Sequence, residues 1–193
     1  MPNDQRFAQL VSLACHDLRT PLATVFGFAR TLARTELEPP TDRYIEMIEA
    51  ASTQLGELLD ELSLVARIQA GRYEPQLVAV DSLELARAAA AELEDGRVEV
   101  TGKGGTVRVP QEEMRRALSQ LARAAGRHGG FDSVAVDVED RTVTVSPVTP
   151  ASGPVLLGEE LRELGAAAAT ELIRALGGSV EVEGERLVVR LAG

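Results

Sequence analysis

Two helix-patterned segments separated by Pro39-Pro40 constrain the first third of this chain more than any other feature. The first runs from about Asp4 to Arg34. Phe7, Leu10, Val11, Ala14 and Leu18 follow i, i+3, i+4 spacing, continued after Pro21 by Leu22, Val25, Ala29 and Leu32. Pro21 removes a backbone donor and crowds the preceding turn, so a bend is expected just after His16. The second segment starts at a Thr41 or Asp42 cap and runs to about Ala70, where Gly71 ends it. Ile48, Leu55 and Leu62 fall at one seam position of a heptad, and Ala51, Leu58 and Val65 at the other, with Leu59 widening the stripe. Two such helices joined by a short turn form an antiparallel hairpin. One hairpin cannot cover its whole stripe, whereas two can, as a four-helix bundle. A homodimer is therefore expected on packing grounds alone.

After Tyr73 the pattern changes. Helices are expected at Asp81 to Glu94, Glu112 to Arg127 and Glu159 to Leu176, the last stopped by Gly177-Gly178. Between them, Val98-Glu99-Val100 and Thr106 to Val109 alternate like strands around the turn-forming Lys103-Gly104-Gly105. Val134 to Val138 and Thr142 to Val145 read as neighbouring strands. Ser179 to Glu183 and Arg186 to Arg190 read as a closing hairpin. Helices interleaved with mostly hairpin-linked strands predict a small α+β sandwich, with helices on one face of a sheet. The expected organisation is a hairpin over residues 1–72 and a sandwich over 77–193.

The totals exclude several function classes. The formal net charge of −10 repels phosphate backbones, so nucleic acid is not an expected partner. No apolar run approaches the roughly 20 residues of a membrane-spanning helix, and the N-terminus lacks a signal-peptide pattern. No membrane insertion and a cytoplasmic location are expected. A single cysteine, Cys15, rules out an internal disulfide and a thiolate zinc cluster. The two histidines, His16 and His128, are too few and too far apart for a metal site. His128 ends a helix before Gly129-Gly130, where a cationic ring suits the helix dipole.

The chemistry concentrates in His16-Asp17-Leu18-Arg19-Thr20-Pro21. A neutral imidazole is nucleophilic near pH 7, and the phosphoramidate it forms passes its phosphoryl group readily to a carboxylate. Asp17 is the adjacent carboxylate, and Thr20 lies one turn after His16 on the same helical face. Within Leu10 to Leu22, this stretch resembles the H-box of sensor histidine kinases. Leu58 to Gly71 is similar to the end of that family's second dimerisation helix.

The resemblance implies catalytic roles for His16, Asp17 and Thr20, with Arg19 and Pro21 supporting. His16 takes the phosphoryl group. Asp17 accepts a ring proton and orients the imidazole, and Thr20 can orient a water that dephosphorylates the partner. Arg19 is a candidate phosphate contact or simply a solvated charge.

The element order after Tyr73 also resembles the ATP-binding domain of that family, most closely over Glu171 to Val182. The residues that handle nucleotide there are largely missing. Ala124 stands where an asparagine should hold Mg²⁺, and Ala has no oxygen to offer. The only asparagine in the chain is Asn3, and no aspartate follows Asp140 to receive the adenine amino group. Ser146 to Pro154 is proline-rich where a glycine box is expected. Leu164-Gly165-Ala166-Ala167-Ala168 keeps one glycine of another box, and Pro147 to Glu160 is short for a nucleotide lid.

The resemblance therefore points to stand-alone dimeric histidine phosphotransferases, which pair such a hairpin with a degenerate ATP domain. It implies no cofactor or metal held by this chain. The expected partners are response-regulator receiver domains, which bring their own Mg²⁺. A chain with no sensor segment ahead of the hairpin suits a relay component. The two alternatives are an ATP-dependent histidine kinase with divergent nucleotide contacts and a non-catalytic dimeric scaffold that sequesters a regulator.

Overall fold

A computed structural model describes residues 19, 22–34, 41–93, 98–160 and 162–192. The chain divides into two compact units, Met1–Tyr73 and Glu74–Gly193.

The first unit is an antiparallel helical hairpin. Helix α1 is described at residue 19 and over 22–33, and α2 spans Thr41–Gln69. Arg19 on α1 reaches Asp60 on α2, and the Leu22 side chain lies 3.7 Å from where a β-carbon on Gly56 would sit. Leu22 and position 56 thus lie at ordinary van der Waals contact across the hairpin. Among the described residues of this unit, Ala29, Ile45, Ser52 and Ala66 are buried. Ile45, Ser52 and Ala66 sit on one seven-residue repeat that also includes the half-buried Leu59.

The heptad read from sequence is a different stripe. Ile48, Leu55 and Leu58 remain exposed, together with Val25, Phe28 and Leu32 on α1. The apolar run assigned to α1 also divides. Leu22 is half-buried and Ala29 buried, whereas Val25 and Leu32 face outward. The single hairpin leaves a second apolar stripe uncovered, as the packing argument requires.

The second unit is an α/β sandwich. Its strands are β1 (Val78–Asp81), β2 (Val98–Gly104), β3 (Thr106–Val109), β4 (Val134–Asp140), β5 (Thr142–Ser146), β6 (Ser179–Glu183) and β7 (Arg186–Arg190). Its helices are α3 (Ser82–Ala90), α4 (Gln111–Gly129), α5 (Gly153–Leu156) and α6 (Leu164–Ala175). A five-stranded sheet has the order β2-β4-β5-β7-β6, and β1 and β3 form a separate antiparallel pair. One face of the large sheet carries Val134, Val136, Val138, Val143, Val145, Leu187 and Val189, all buried. Helix α4 packs against both α3 and α6, and Met114, Leu121, Leu172 and Ile173 are fully buried. With few aromatics, the core is built from aliphatic and alanine side chains.

Three expectations needed correction. Strands β2 and β3 do not form a hairpin. β2 pairs in parallel with β4, with Gly102 opposite Val138, and β3 pairs with β1. The four-residue β1, in a stretch to which the sequence assigned no strand, is too short to show alternation. A clamp sets the break between β2 and β3. The Ser82 amide donates to the Gly105 carbonyl at 3.0 Å, and the Gly105 amide donates to Ser82 Oγ at 3.0 Å. The parallel pairing follows because α4 supplies the crossover that such a pair needs.

The second correction concerns α3, which starts at Ser82 under an Asp81 cap. The Asp81 carboxylate accepts from the Leu83 and Glu84 amides. The helix ends at Ala90, short of the expected Glu94. The third concerns the helix expected from Glu159. It begins only at Leu164, because Gly158 takes a left-handed φ of 70° and Glu163 is extended.

Candidate functional site

His16, Asp17, Thr20 and Pro21 lie outside the described residues. Arg19 is helical and half-exposed, and its Nη2 donates to Asp60 Oδ1 at 2.5 Å across the hairpin. The sequence suggested a phosphate contact or a solvated charge for Arg19; the structure gives it an interhelical carboxylate partner. Asp60 escaped the sequence reading because nothing local to it signals a partner 41 residues away.

The second unit can be compared with the nucleotide chemistry its layout suggests. Ala124, at the expected metal-ligand position, is fully buried in α4, as is its neighbour Ala125. The first turns of α6 run Gly165-Ala166-Ala167-Ala168-Ala169, and all five residues are buried. The Ala167 amide is already paired, donating to the Glu163 carbonyl at 3.2 Å, which leaves one amide fewer for a phosphate at this helix end.

Short helix α5 packs against both α4 and α6. It buries Val155 and Leu156 completely, and Thr170 Oγ1 of α6 donates to the Leu156 carbonyl at 2.8 Å. Just before α5, Thr149 and Ser152 cap one another. The Thr149 amide donates to Ser152 Oγ at 3.0 Å, and the Ser152 amide donates to Thr149 Oγ1 at 3.1 Å.

A carboxylate stands at the N-terminus of α6. Glu163 accepts from His128 Nε2 at 2.6 Å and from Arg127 Nη1 at 3.2 Å, and its side chain is only 10% exposed. Negative charge at this end suits the helix dipole and opposes a phosphate at the same place. The residues present therefore do not fit Mg²⁺-nucleotide bound through an asparagine and a glycine-rich turn. Among the described residues, no group of three or more His, Cys, Asp or Glu side chains could hold a metal ion, and no helix is long and apolar enough to cross a membrane.

The comparisons with known proteins agree with this layout. Residues 8–71 match the His Kinase A (phospho-acceptor) domain. Two curated relatives are similar in sequence. Sensor histidine kinase TrcS of Mycobacterium tuberculosis is 35% identical over 71 residues, 36% of this chain and 14% of TrcS. Histidine protein kinase DivJ of Caulobacter vibrioides is 33% identical over 124 residues, 59% of this chain and 20% of DivJ. The chain thus spans a small part of these relatives.

Among solved structures, full-length ShkA in complex with AMPPNP superposes with a TM-score of 0.72 at 22% identity, over 96% of this chain and 46% of ShkA. The ATP-binding domain of PrrB from Mycobacterium tuberculosis superposes with a TM-score of 0.50 at 25% identity, over 61% of this chain and 98% of that domain. Residues 8–71 thus belong to the His Kinase A phosphoacceptor class of domain. More particularly, the chain joins that hairpin to a unit of histidine-kinase-like fold. Domains of the His Kinase A type dimerise and signal to response regulators.

Proposed function

We propose that this chain is a dimeric histidine phosphotransferase, with a phosphoacceptor domain over 1–72 and a degenerate ATPase-like domain over 77–193, acting in the cytoplasm. His16 receives a phosphoryl group from the phospho-aspartate of one receiver domain and passes it to the aspartate of another. In the first half-reaction an imidazole nitrogen attacks phosphorus and an N–P bond forms. The acyl P–O bond breaks, the receiver carboxylate departs with its electron pair, and the ring proton passes to Asp17. The second half-reaction is the reverse, with a fresh receiver carboxylate as nucleophile. Thr20, one turn on, orients water when the partner is dephosphorylated. Mg²⁺ belongs to the receiver domain.

The observation that carries this reading is the pairing of an intact H-box, inside the matched residues 8–71, with an α4–α6 region packed by alanines and by α5. The exposed stripe of Val25, Phe28, Leu32, Ile48, Leu55 and Leu58 supports the homodimer. A second reading, an ATP-dependent kinase, is favoured by the likeness of the second unit to the ATP-binding domain of PrrB.

Thermal unfolding with and without millimolar Mg²⁺-ATP separates the two. A ligand at about a hundred times its Kd stabilises a fold by ~2.7 kcal/mol, several degrees in Tm. The phosphotransferase reading expects no shift and no phosphohistidine from ATP alone. A clear shift together with ATP-derived label on His16 establishes the kinase reading instead.

A further inference from the structure

The face of the large sheet opposite its valine core is mostly polar. On that face Glu99 of β2 lies opposite Ala135 of β4, and Ala135 lies opposite Ser146 of β5. Arg186 of β7 stands one residue beyond the Val145–Leu187 pair, so it continues the same cross-sheet row. Two small side chains thus sit between a carboxylate and a guanidinium. They leave a trough of about 490 Å³, lined also by Ser133 and by Glu185 of the β6–β7 turn. That volume suits a small ligand.

Neighbouring polar groups on this face are matched within the protein. Arg190 donates to Glu181 at 2.9 Å and to Glu183 at 2.7 Å, and Thr101 donates to Asp137 at 2.9 Å. Glu183 stands directly opposite Arg186 in the register, yet its carboxylate is taken by Arg190. Among the described residues, Glu99, Glu185 and Arg186 form no ion pair, and all three are exposed. The fork of Arg190 therefore leaves the trough with unmatched groups of both signs.

We propose that this trough binds a small zwitterion, an amino acid or dipeptide with a free ammonium and a free carboxylate, and so gives the second unit a ligand of its own. The Arg186 guanidinium meets the ligand carboxylate through paired hydrogen bonds. The Glu99 and Glu185 carboxylates accept from its ammonium, and the hydroxyls of Ser133 and Ser146 serve either end. Three strand spacings separate the roots of Glu99 and Arg186, about 14 Å. The two long side chains can close that distance around one or two residues. A simple anion or a simple cation satisfies one wall of the trough and meets its own sign at the other.

Nuclear magnetic resonance titration of the full chain with glycine, glycylglycine, acetate and ethylamine tests this. Glycine or glycylglycine is expected to bind with a Kd of about 1 mM or tighter, and acetate and ethylamine at least about tenfold more weakly. Arg186→Ala and Glu99→Gln are each expected to weaken zwitterion binding at least about fivefold. Ala135→Leu fills the floor of the trough, leaves every charge in place and is expected to abolish binding. All three positions are exposed, so the fold persists, which circular dichroism checks. No response to glycine or glycylglycine up to about 20 mM overturns the proposal. Acetate or ethylamine binding as tightly as the zwitterions also overturns it, because charge attraction alone then explains the response. So does unchanged zwitterion binding in the three variants, which places the ligand elsewhere.

Discussion

Glu163 receives a hydrogen bond from His128 Nε2 at 2.6 Å, which ties the last turn of α4 to the first residue before α6 across 35 residues of sequence. Arg127 donates to the other carboxylate oxygen at 3.2 Å but is 61% exposed. The two contacts therefore differ in weight. Removing the acceptor with Glu163→Ala leaves a half-buried imidazole without its partner and should cost about 1–2 kcal/mol. Arg127→Ala should cost no more than about 0.5 kcal/mol, as an exposed pair does. Urea unfolding of the full chain, followed by circular dichroism, reads both. Equal losses in the two variants would contradict this ranking.

The parallel pairing of β2 with β4 depends on Gly102. Its φ is 108°, and a β-carbon there would overlap the carbonyl of Val138 on the facing strand. The obstructing atoms are backbone, so no rotamer change relieves the overlap. Gly102→Ala should destabilise the second unit by at least ~3 kcal/mol, combining a strained backbone with a broken ladder. Gly105→Ala meets the Asp140 side chain first, which is exposed and can swing aside. Its penalty should be smaller by about 1 kcal/mol or more. Chemical denaturation of the two variants side by side tests the order.

The uncovered stripe on the hairpin has a direct consequence. Phe28 is 67% exposed and Leu55 is 53% exposed, on helices whose other apolar faces are already buried within the unit. If a second hairpin covers them, a charge at either position must be buried in the dimer. Phe28→Glu or Leu55→Glu should weaken self-association at least ~100-fold, about 2.7 kcal/mol. The fold of each chain should survive, because neither side chain is buried within it. Sedimentation equilibrium measures the first effect and circular dichroism the second. A dimer constant unchanged in both variants would rule this face out as the interface.

How far the sequence could be read differs between the two units for physical reasons. Helix α2, with its heptads, and the β6–β7 hairpin, with the Val/Glu alternation of β6 and the short apolar run of β7, are written in local pattern, and both were legible. That position 124 carries an alanine, with no oxygen to offer a metal, is read from residue type alone. Pairing partners were not legible. Gly104-Gly105 looks like a hairpin turn, yet the Ser82 clamp sends β3 to β1 instead. Which stripe of α2 faces α1 also escaped, since Ile45-Ser52-Leu59-Ala66 is less apolar than the stripe that stays exposed. The contacts Arg19–Asp60 and His128–Glu163 join residues 41 and 35 apart. Neither spacing carries a local signature, so only the folded structure brings them together.

The central claim is that His16 exchanges a phosphoryl group with receiver aspartates. The most direct measurement incubates the full chain with a phosphorylated receiver domain, without ATP. Neutral-pH mass spectrometry then locates the phosphoryl group on the peptide that contains His16. The account predicts one acid-labile phosphoryl group on His16, its loss on adding a second unphosphorylated receiver, and no label in His16→Ala. A chain that stays unlabelled while the receiver keeps its phosphate, or a label that persists in His16→Ala, would contradict it.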